Sequence, residues 1–559
     1  MLARLHFAVL FLAHAVWFAA IAHMDVGLLS GDRTPSDILL LVVTILATVV
    51  VQIRVGSVMP DLAAAVRVAP ARAMTSLSFA GAVGLCAGIA SGLGLGPWRP
   101  DLNSLWDRGS LAGALLSWPL LFTALLWRKP GGPSAPFFLR NRAHVADADA
   151  RRCLVAGVVH AFAAALAVAV VIERPAARND AASLADCLLL FSLSYATGIL
   201  LSWFQGYAQR QVGLLPMASW AAVLAALAAW IAPAAEWPVM LLGIACGLAH
   251  CAPRNWLTVL VPPGQRALGL LLMALAQTIG VLLAVGIGKA AAGLSPAAMR
   301  GIVLILFLAI ATVATRAFLR ELTEQATEML IWISYLVRGY GPGMRSVPTR
   351  GPVLVIANHC AWLDPLWVAK VLPLHLRPMM TSRFYDLPLI RWLMTHVFHA
   401  IRVPESAFRR EAPEVHDAIA ALQRGENVLI FPEGWLKRKE EQSLRRFGQG
   451  IYQILREVPR TPVVACWIEG SWGSFVSFFK GPPTKNKKVD FLRNIRIGVS
   501  APEVLSLDVL HDHHQTRRHL MLAVLNARSY VGLPPLPPPP FAAGDEEKDD
   551  GPGEEPEKG

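Results

Sequence analysis

Two patterns of apolar and polar positions divide the chain. Up to about residue 320 the sequence runs in apolar stretches of roughly 15–22 residues, separated by short polar loops. Such stretches start near Leu5, Ile38, Leu77, Leu111, Leu154, Leu184, Val212, Pro238, Ala267 and Ile302. Each is long enough to cross or nearly cross a bilayer, and together they predict about ten helices. The first, with Arg4 ahead of it and A-A-I-A at Ala19 to Ala22, imitates a signal peptide. The many spans that follow make it a first transmembrane helix instead. The stretch from Pro60 to Gly96 has room for a broken helix.

From Glu321 the pattern becomes amphipathic, E-L-T-E-Q-A-T-E-M-L-I-W-I-S-Y-L-V, with Leu330, Ile331, Ile333, Tyr335 and Leu336 beyond a polar first turn. This predicts a linking helix that lies on a membrane surface. Helical and strand patterns then alternate to about Leu505, as in an α/β domain. The end of the chain begins L-P-P-L-P-P-P-P at Leu533 and finishes in Glu, Asp and Lys, a disordered tail by composition. The expected organisation is a polytopic membrane domain over 1–320, a linking helix and entry over 321–350, a catalytic α/β domain over 351–530, and a tail over 531–559.

Composition agrees with a membrane protein: 559 residues, 55% of them hydrophobic, only 16% charged, and a mean hydropathy of +0.47. The net charge of +12 does not point to nucleic acid, because cytoplasmic loops of membrane proteins are enriched in Lys and Arg. With the N-terminus inside, the loop charges divide into roughly 12 inside and 7 outside. That bias favours a cytoplasmic N-terminus, and an even number of helices puts the second half on the same side. The seven cysteines are scattered without C-x-x-C spacing, so neither a disulfide framework nor a zinc site is indicated. His511, His513 and His514 lack a partner cluster and are not read as metal ligands.

The chemistry concentrates in Val353 to Pro365, V-L-V-I-A-N-H-C-A-W-L-D-P. In a continuous helix His359 and Asp364 would stand about 140° apart. Strand, then loop, then helix is the more economical reading, with Asp364 near the N-cap and Pro365 at the first helical position. The loop can then fold His359 back onto Asp364, and a carboxylate holding an imidazole makes a general base suited to neutral pH. Taken alone, the spacing also fits a loop histidine beside a capping aspartate. Cys360 adjoins His359 but is not read as a nucleophile.

About 70 residues downstream, V-L-I-F-P-E-G at Val428 to Gly434 reads as a second short strand broken by Pro-Glu-Gly. N-H-x-x-x-x-D followed by F-P-E-G resembles the glycerolipid acyltransferase family, which includes the lysophosphatidic acid acyltransferases. Arg402 in H-A-I-R-V falls where that family places a basic residue, and Thr461-Pro462-Val463-Val464 resembles its last, proline-containing strand. The resemblance implies His359 and Asp364 as catalytic residues and Arg402, Glu433 and Gly434 as acceptor-binding ones, with Arg402 suited to phosphate. It also implies acyl-CoA or acyl carrier protein as donor, a lysophospholipid as acceptor, and neither a metal nor a bound cofactor. One departure stands out. The usual F-P-E-G-T-R-S is here F-P-E-G-W-L-K-R-K, so cation function could have moved to Lys437, Arg438 or Lys439. R-R-F-G-Q-G at Arg445 resembles the family's F-x-x-G element. I-E-G-S-W-G-S-F at Ile468 resembles its lysophosphatidylethanolamine-type branch.

In the membrane half, the run from Leu241 through G-L-A-H-C-A-P-R-N loosely resembles late helices of major facilitator transporters linked to such acyltransferases. The expectation is a major-facilitator-like membrane domain of the inner (plasma) membrane joined to a cytoplasmic acyltransferase domain, the membrane half either delivering lysophospholipid to it or, equally well, serving as an anchor with incidental polar residues. The alternative is a lysophospholipid transporter or flippase whose soluble domain only regulates. The basic residues Lys485, Lys487, Lys488, Arg493 and Arg496 could face lipid headgroups or an acidic carrier protein. Solubility of a surface loop explains them equally well.

Overall fold

The structure, a computed structural model, describes residues 70–92 and pieces of 8–63, and then 148–537 apart from 177–180, 206–207, 233–234, 291–293, 349, 405–411, 441–443, 486 and 535. The chain divides into two units, Met1–Gln325 and Ala326–Gly559.

The first unit is helical. Its helices are α1 (Pro70–Gly92), α2 (Ala148–Ala176), α3 (Ala181–Ser202), α4 (Leu214–Ile231), α5 (Trp237–His250), α6 (Ala252–Leu260), α7 (Arg266–Ala290) and α8 (Pro296–Ala317). Among the described residues, Ala148–Val170, Leu214–Ile231, Arg266–Ala290 and Ala297–Ala317 are long and apolar enough to cross a membrane. The apolar stretches near Leu77, Leu154, Leu184, Val212, Pro238, Ala267 and Ile302 thus coincide with helices. Those near Leu5 and Ile38 are described only in helical pieces, and the one near Leu111 lies outside the described residues. No break interrupts α1 between Pro70 and Gly92. Small residues bring α3 and α5 together: a Cβ at Gly198 would stand 2.3 Å from Ile244 O, and one at Gly247 would stand 2.1 Å from Tyr195 O. The run H-C-A-P-R-N breaks one helix into two, because Pro253 in the first turn of α6 has no N–H to continue the ladder of α5.

The amphipathic stretch forms α9 (Leu319–Ser334) and passes without a loop into β1 (Tyr335–Tyr340). The strands β2 (Val353–Ala357), β3 (Leu376–Thr381), β4 (Ile401–Val403), β5 (Asn427–Ile430), β6 (Val463–Glu469) and β7 (Arg493–Val499) complete the second unit's sheet. Their order is β1-β7-β6-β2-β5-β3-β4. Every neighbouring pair is parallel except β6 and β7. The apolar run of β2 is buried at all five positions, as a central strand covered on both faces must be. Leu354 and Ile356 face a core shared with α10 (Pro413–Gln423), α11 (Gly450–Glu457) and α12 (His513–Ala527). Val353, Val355 and Ala357 face the opposite core, where Trp367, Val368 and Val371 of the helix after β2 pack. Pro462 stands just before β6, where its missing N–H costs the ladder nothing. The architecture is therefore a helical unit followed by an α/β unit with a mixed sheet.

Candidate active site

Parallel neighbours on both sides bring the C-terminal ends of β2, β5 and β6 to one edge of the sheet, where open α/β sheets bind their ligands. Asn358, the first residue after β2, extends the pairing with its side chain. Its Nδ2 donates to Ile468 O at 3.1 Å, and its Oδ1 accepts from Ile468 N at 2.6 Å. The amide thus imitates one more ladder position on β6 and fixes where the chain leaves the strand.

His359 comes next. Its ring Nδ1 lies 2.9 Å from Asp364 Oδ2, and the ring stacks on Phe431 with centroids 4.1 Å apart and an interplanar angle of 20°. Asp364 is fully buried and is the first residue of its helix, Asp364–Val371, with Leu363 at the N-cap and Pro365 in the first turn. That is one position from the expected cap, within the ordinary softness of helix boundaries. The same Oδ2 accepts from Cys360 N at 2.6 Å and Ala361 N at 2.8 Å. It therefore acts as an acceptor, so the ring nitrogen facing it carries the proton and Nε2 keeps its lone pair. The His359 side chain is 20% exposed, enough for a reactant to reach that nitrogen.

The second motif holds the first in place. Glu433 is buried, with Oε1 accepting from His359 N at 2.8 Å and Oε2 accepting from Arg445 N at 2.7 Å. Glu433, expected to bind the acceptor or to orient a basic neighbour, has each of its two oxygens engaged by a backbone N–H. Burial pushes its carboxyl from 4.5 up to about 7, against the two amide donors, which pull the other way. Gly434 takes φ +73° in an open turn and donates its N–H to Phe431 O. Lys437 N donates to His359 O at 2.8 Å, so both backbone groups of the histidine are tied to the F-P-E-G segment and its continuation.

Arg402 stands on β4, three strands from β2, or about 14 Å across the sheet. Its Nε donates to both oxygens of Asp386, at 2.9 and 3.1 Å, and Nη2 donates to Oδ2 as well. Asp386 is held below the usual carboxylate range by that hydrogen bond. Among the described residues, Nη1 of Arg402 has no protein partner, which leaves one side of the fork for an anion. The cations after F-P-E-G sit over aromatic rings, Lys437 Nζ 5.0 Å from the Trp472 centroid and the Arg438 guanidinium 5.3 Å from Phe478.

Three residues of the late basic run turn inward rather than toward a partner, Arg496 among them with Nη1 donating to Val531 O at 2.9 Å. Arg493 donates to the carbonyls of Gly470, Trp472 and Gly473 and pairs with Asp490 at 2.9 Å. Lys487 Nζ donates to the Ser477 and Gly481 carbonyls. Arg493 and Lys487 both fasten the loop after β6, which meets the first motif where Trp362 N donates to Val476 O. Cys360 is buried, and its thiol is pushed above the ordinary range by burial first and the nearby Asp364 carboxylate second, which leaves it unsuited to nucleophilic attack. Sequence reasoning missed Asn358, Phe431 and Asp386 as parts of the site. The N of N-H and the F of F-P-E-G were visible in the motifs, whereas nothing around Tyr385-Asp386 marks a partner for Arg402.

Residues 342–469 match the protein-family model described as Acyltransferase. No curated protein matches the chain. Among solved structures, the 1-acyl-sn-glycerophosphate (LPA) acyltransferase PlsC from Thermotoga maritima is similar at 15% identity and a TM-score of 0.30, over 38% of this chain and 82% of that one. The Major Facilitator Superfamily transporter FucP is similar at 12% identity and a TM-score of 0.41, over 56% and 98%. A bacterial homologue of the iron transporter ferroportin is similar at 15% identity and a TM-score of 0.37, over 57% and 84%. None of the three superposes closely enough to carry a functional conclusion. The family match does place an acyltransferase domain in the second unit, around the histidine and aspartate described above.

Proposed function

We propose that the second unit moves a fatty acyl group from acyl-CoA or acyl carrier protein to the free hydroxyl of a lysophospholipid. The observation that carries the reading is the His359–Asp364 contact inside the segment that matches the acyltransferase family. A thioester is already activated, so no covalent enzyme intermediate is needed. His359 Nε2 removes the proton of the acceptor hydroxyl as its oxygen bonds to the thioester carbonyl carbon. The C–S bond then breaks, and the departing thiolate takes the proton back from the imidazolium. Asp364 orients the ring and balances its transient charge. Arg402 binds the acceptor phosphate through the side of its fork that Asp386 leaves open. The apolar helices of the first unit support residence in a membrane, and the loop charges support a cytoplasmic N-terminus and second unit in an inner (plasma) membrane.

The test uses the purified full-length protein in detergent micelles. Oleoyl-CoA or oleoyl acyl carrier protein is supplied with lysophosphatidic acid in one arm and lysophosphatidylethanolamine in another. Release of thiol with formation of the diacyl lipid is expected in at least one arm, and its absence with both donors and both acceptors overturns the reading. Arg402→Ala should raise the acceptor KM and leave the donor KM alone, because a phosphate contact kept throughout the reaction is uniform binding. Arg402→Lys should recover only part of that affinity, since the fork is lost. A raised donor KM with an unchanged acceptor KM would move Arg402 to the thioester side.

Glu433 is assigned here as a positioning residue. In Glu433→Gln one oxygen becomes an NH₂ group facing a backbone N–H, so either His359 or Arg445 loses its acceptor. The kcat should fall while the acceptor KM stays near the wild-type value. An acid whose folded pKa is raised stabilises the fold most below its ordinary value, and the contribution is lost as pH rises toward about 7. Wild-type thermal stability should therefore decline between about pH 4.5 and 7 more steeply than that of Glu433→Gln. A change confined to acceptor KM, with parallel pH profiles, would return Glu433 to the substrate.

A further inference from the structure

Strands β2, β5 and β3 run parallel and finish at the edge of the sheet that holds His359. β6 finishes there too, and β7, antiparallel to it, starts there, since Glu469 pairs with Arg496. β1 runs parallel to β7 and so starts at the same edge. Three further segments therefore share that edge with the catalytic motifs: the chain after β3, the loop before β7 and the end of α9.

Two of these segments hold apolar side chains away from the core. After β3 comes L-P-L-I-R-W-L at Leu387 to Leu393, which forms a short helix, Pro388–Leu393, without a buried residue. Leu389 is 79% exposed, and Leu387 and Trp392 are exposed beside it. Before β7, Phe491 is 71% exposed, with Val489 and Leu492 exposed next to it. Leu492 N donates to Ser334 O at 2.7 Å, which sets this loop against the end of α9. The seven strands from β1 to β4 span about 29 Å, so the two clusters stand well apart. Trp362 and Trp435, from the loops after β2 and β5, are exposed between them. The Trp362 ring meets Phe384 with centroids 5.3 Å apart, which links the histidine loop to the Leu387 stretch.

Exposed apolar clusters rimmed by polar residues mark contacts with protein or membrane. The charges decide between the two. Arg383 and Arg391 are exposed in the first cluster, Lys485 and Lys488 in the second. The carboxylates within the two segments, Asp386 and Asp490, are taken by Arg402 and Arg493. Leucine and aromatic residues among arginines and lysines make up segments that settle in a bilayer interface, and anionic headgroups complement the surplus positive charge. A bilayer meets both clusters whatever their spacing, whereas a protein partner would have to be shaped for both. The same chain carries helices apolar and long enough to cross a membrane.

We propose that the site edge of the second unit rests on an anionic lipid surface through two separate contacts. One is Leu387–Trp392 at the β3–β4 end, the other Val489–Leu492 at the β1–β7 end, with His359 between them. The linking helix by itself would hold only one end. Entry of the acceptor to His359 directly from the interface follows, a clause that rests on the acyl-transfer reading; the two contacts do not.

The test uses the full-length protein in vesicles of phosphatidylcholine and phosphatidylglycerol, with the fluorophore NBD attached to Leu389→Cys, Phe491→Cys or Arg460→Cys. Arg460 is exposed ahead of β6, at the opposite edge of the sheet. All the native cysteines but Cys187 are buried, and the wild-type protein treated in the same way sets the background. Labels at the first two positions should lose most of their emission to nitroxides on lipid chains and little to aqueous acrylamide. The third should show the reverse. Omitting phosphatidylglycerol should weaken the nitroxide quenching at the first two. Acrylamide quenching at either of them equal to that of the third would overturn the proposal. Shielding from acrylamide without nitroxide quenching would also overturn it and assign the surface to another protein. Nitroxide quenching indifferent to phosphatidylglycerol would overturn the anionic assignment. No thioester enters the experiment, so failure of the acyl-transfer reading would leave its outcome unchanged.

Discussion

In His359→Ala, turnover of the thioester is expected to fall by about 10²–10⁴-fold, the usual cost of losing a general base, with little change in folding. The geometry separates the two effects. The histidine is tied to the fold through its backbone, N–H to Glu433 and carbonyl to Lys437, and alanine keeps both bonds. The ring contributes the contact with Asp364 and the stack on Phe431. Removing it should leave the melting temperature within a few degrees of wild type. Steady-state thiol release and a thermal melt on the same preparation check the prediction. Wild-type turnover in the alanine variant would remove the base assignment, and a collapsed melt would make the histidine a structural residue.

Asp364→Asn should lower turnover by about 10²-fold, within the range for acid–base catalysis, and Asp364→Ala should lower it further and destabilise the unit. Two backbone N–H groups, from Cys360 and Ala361, converge with the ring on one oxygen of Asp364. An asparagine must therefore turn its carbonyl toward them, because an NH₂ group there would face three donors. The ring proton stays on Nδ1, and the variant loses the charge that balances the imidazolium but not the tautomer. Alanine also leaves two buried amides without an acceptor, at about 1–3 kcal/mol each. Full turnover in the asparagine variant would reduce Asp364 to a loop brace. A drop in stability equal to that of alanine would show that the amide does not settle in the expected orientation.

These two residues were legible in the sequence because their contact is local. A buried strand, a turn and a proline-started helix follow one another within thirteen residues, which lets the loop fold His359 back onto Asp364, and the downstream F-P-E-G resemblance favoured that pairing over a loop histidine beside a capping aspartate. The roles of Glu433 and Arg402 were less legible. Glu433 meets the backbone N–H of a residue 74 positions away, a contact set by the register of β2 beside β5 and by no side-chain pattern. Arg402 finds Asp386 across an exposed turn, where composition carries no signal. The inward turn of Arg493 was hidden for a related reason. Its partners are carbonyls of Gly470, Trp472 and Gly473, and carbonyls leave no trace in a list of charges. In the first unit the apolar helices showed through hydropathy.

The passage from α9 into β1 bears on where this protein can be cut. β1 holds the edge of the sheet, paired with β7 from Tyr335↔Arg493 to Tyr340↔Gly498. A fragment begun at residue 351 or at 342 would retain both catalytic motifs but discard that strand. β7, with Ile495, Ile497 and Val499 fully buried in the intact chain, would become an open edge with unpaired N–H and C=O groups. Such an edge recruits strands from other molecules. A fragment that keeps β1 together with Ile331, which is buried in the same core as Tyr335 and Ile495, has to begin upstream of Ile331, and so carries the exposed Trp332 and Ile333 of the amphipathic helix with it. Solubility and an intact sheet therefore pull the starting residue in opposite directions.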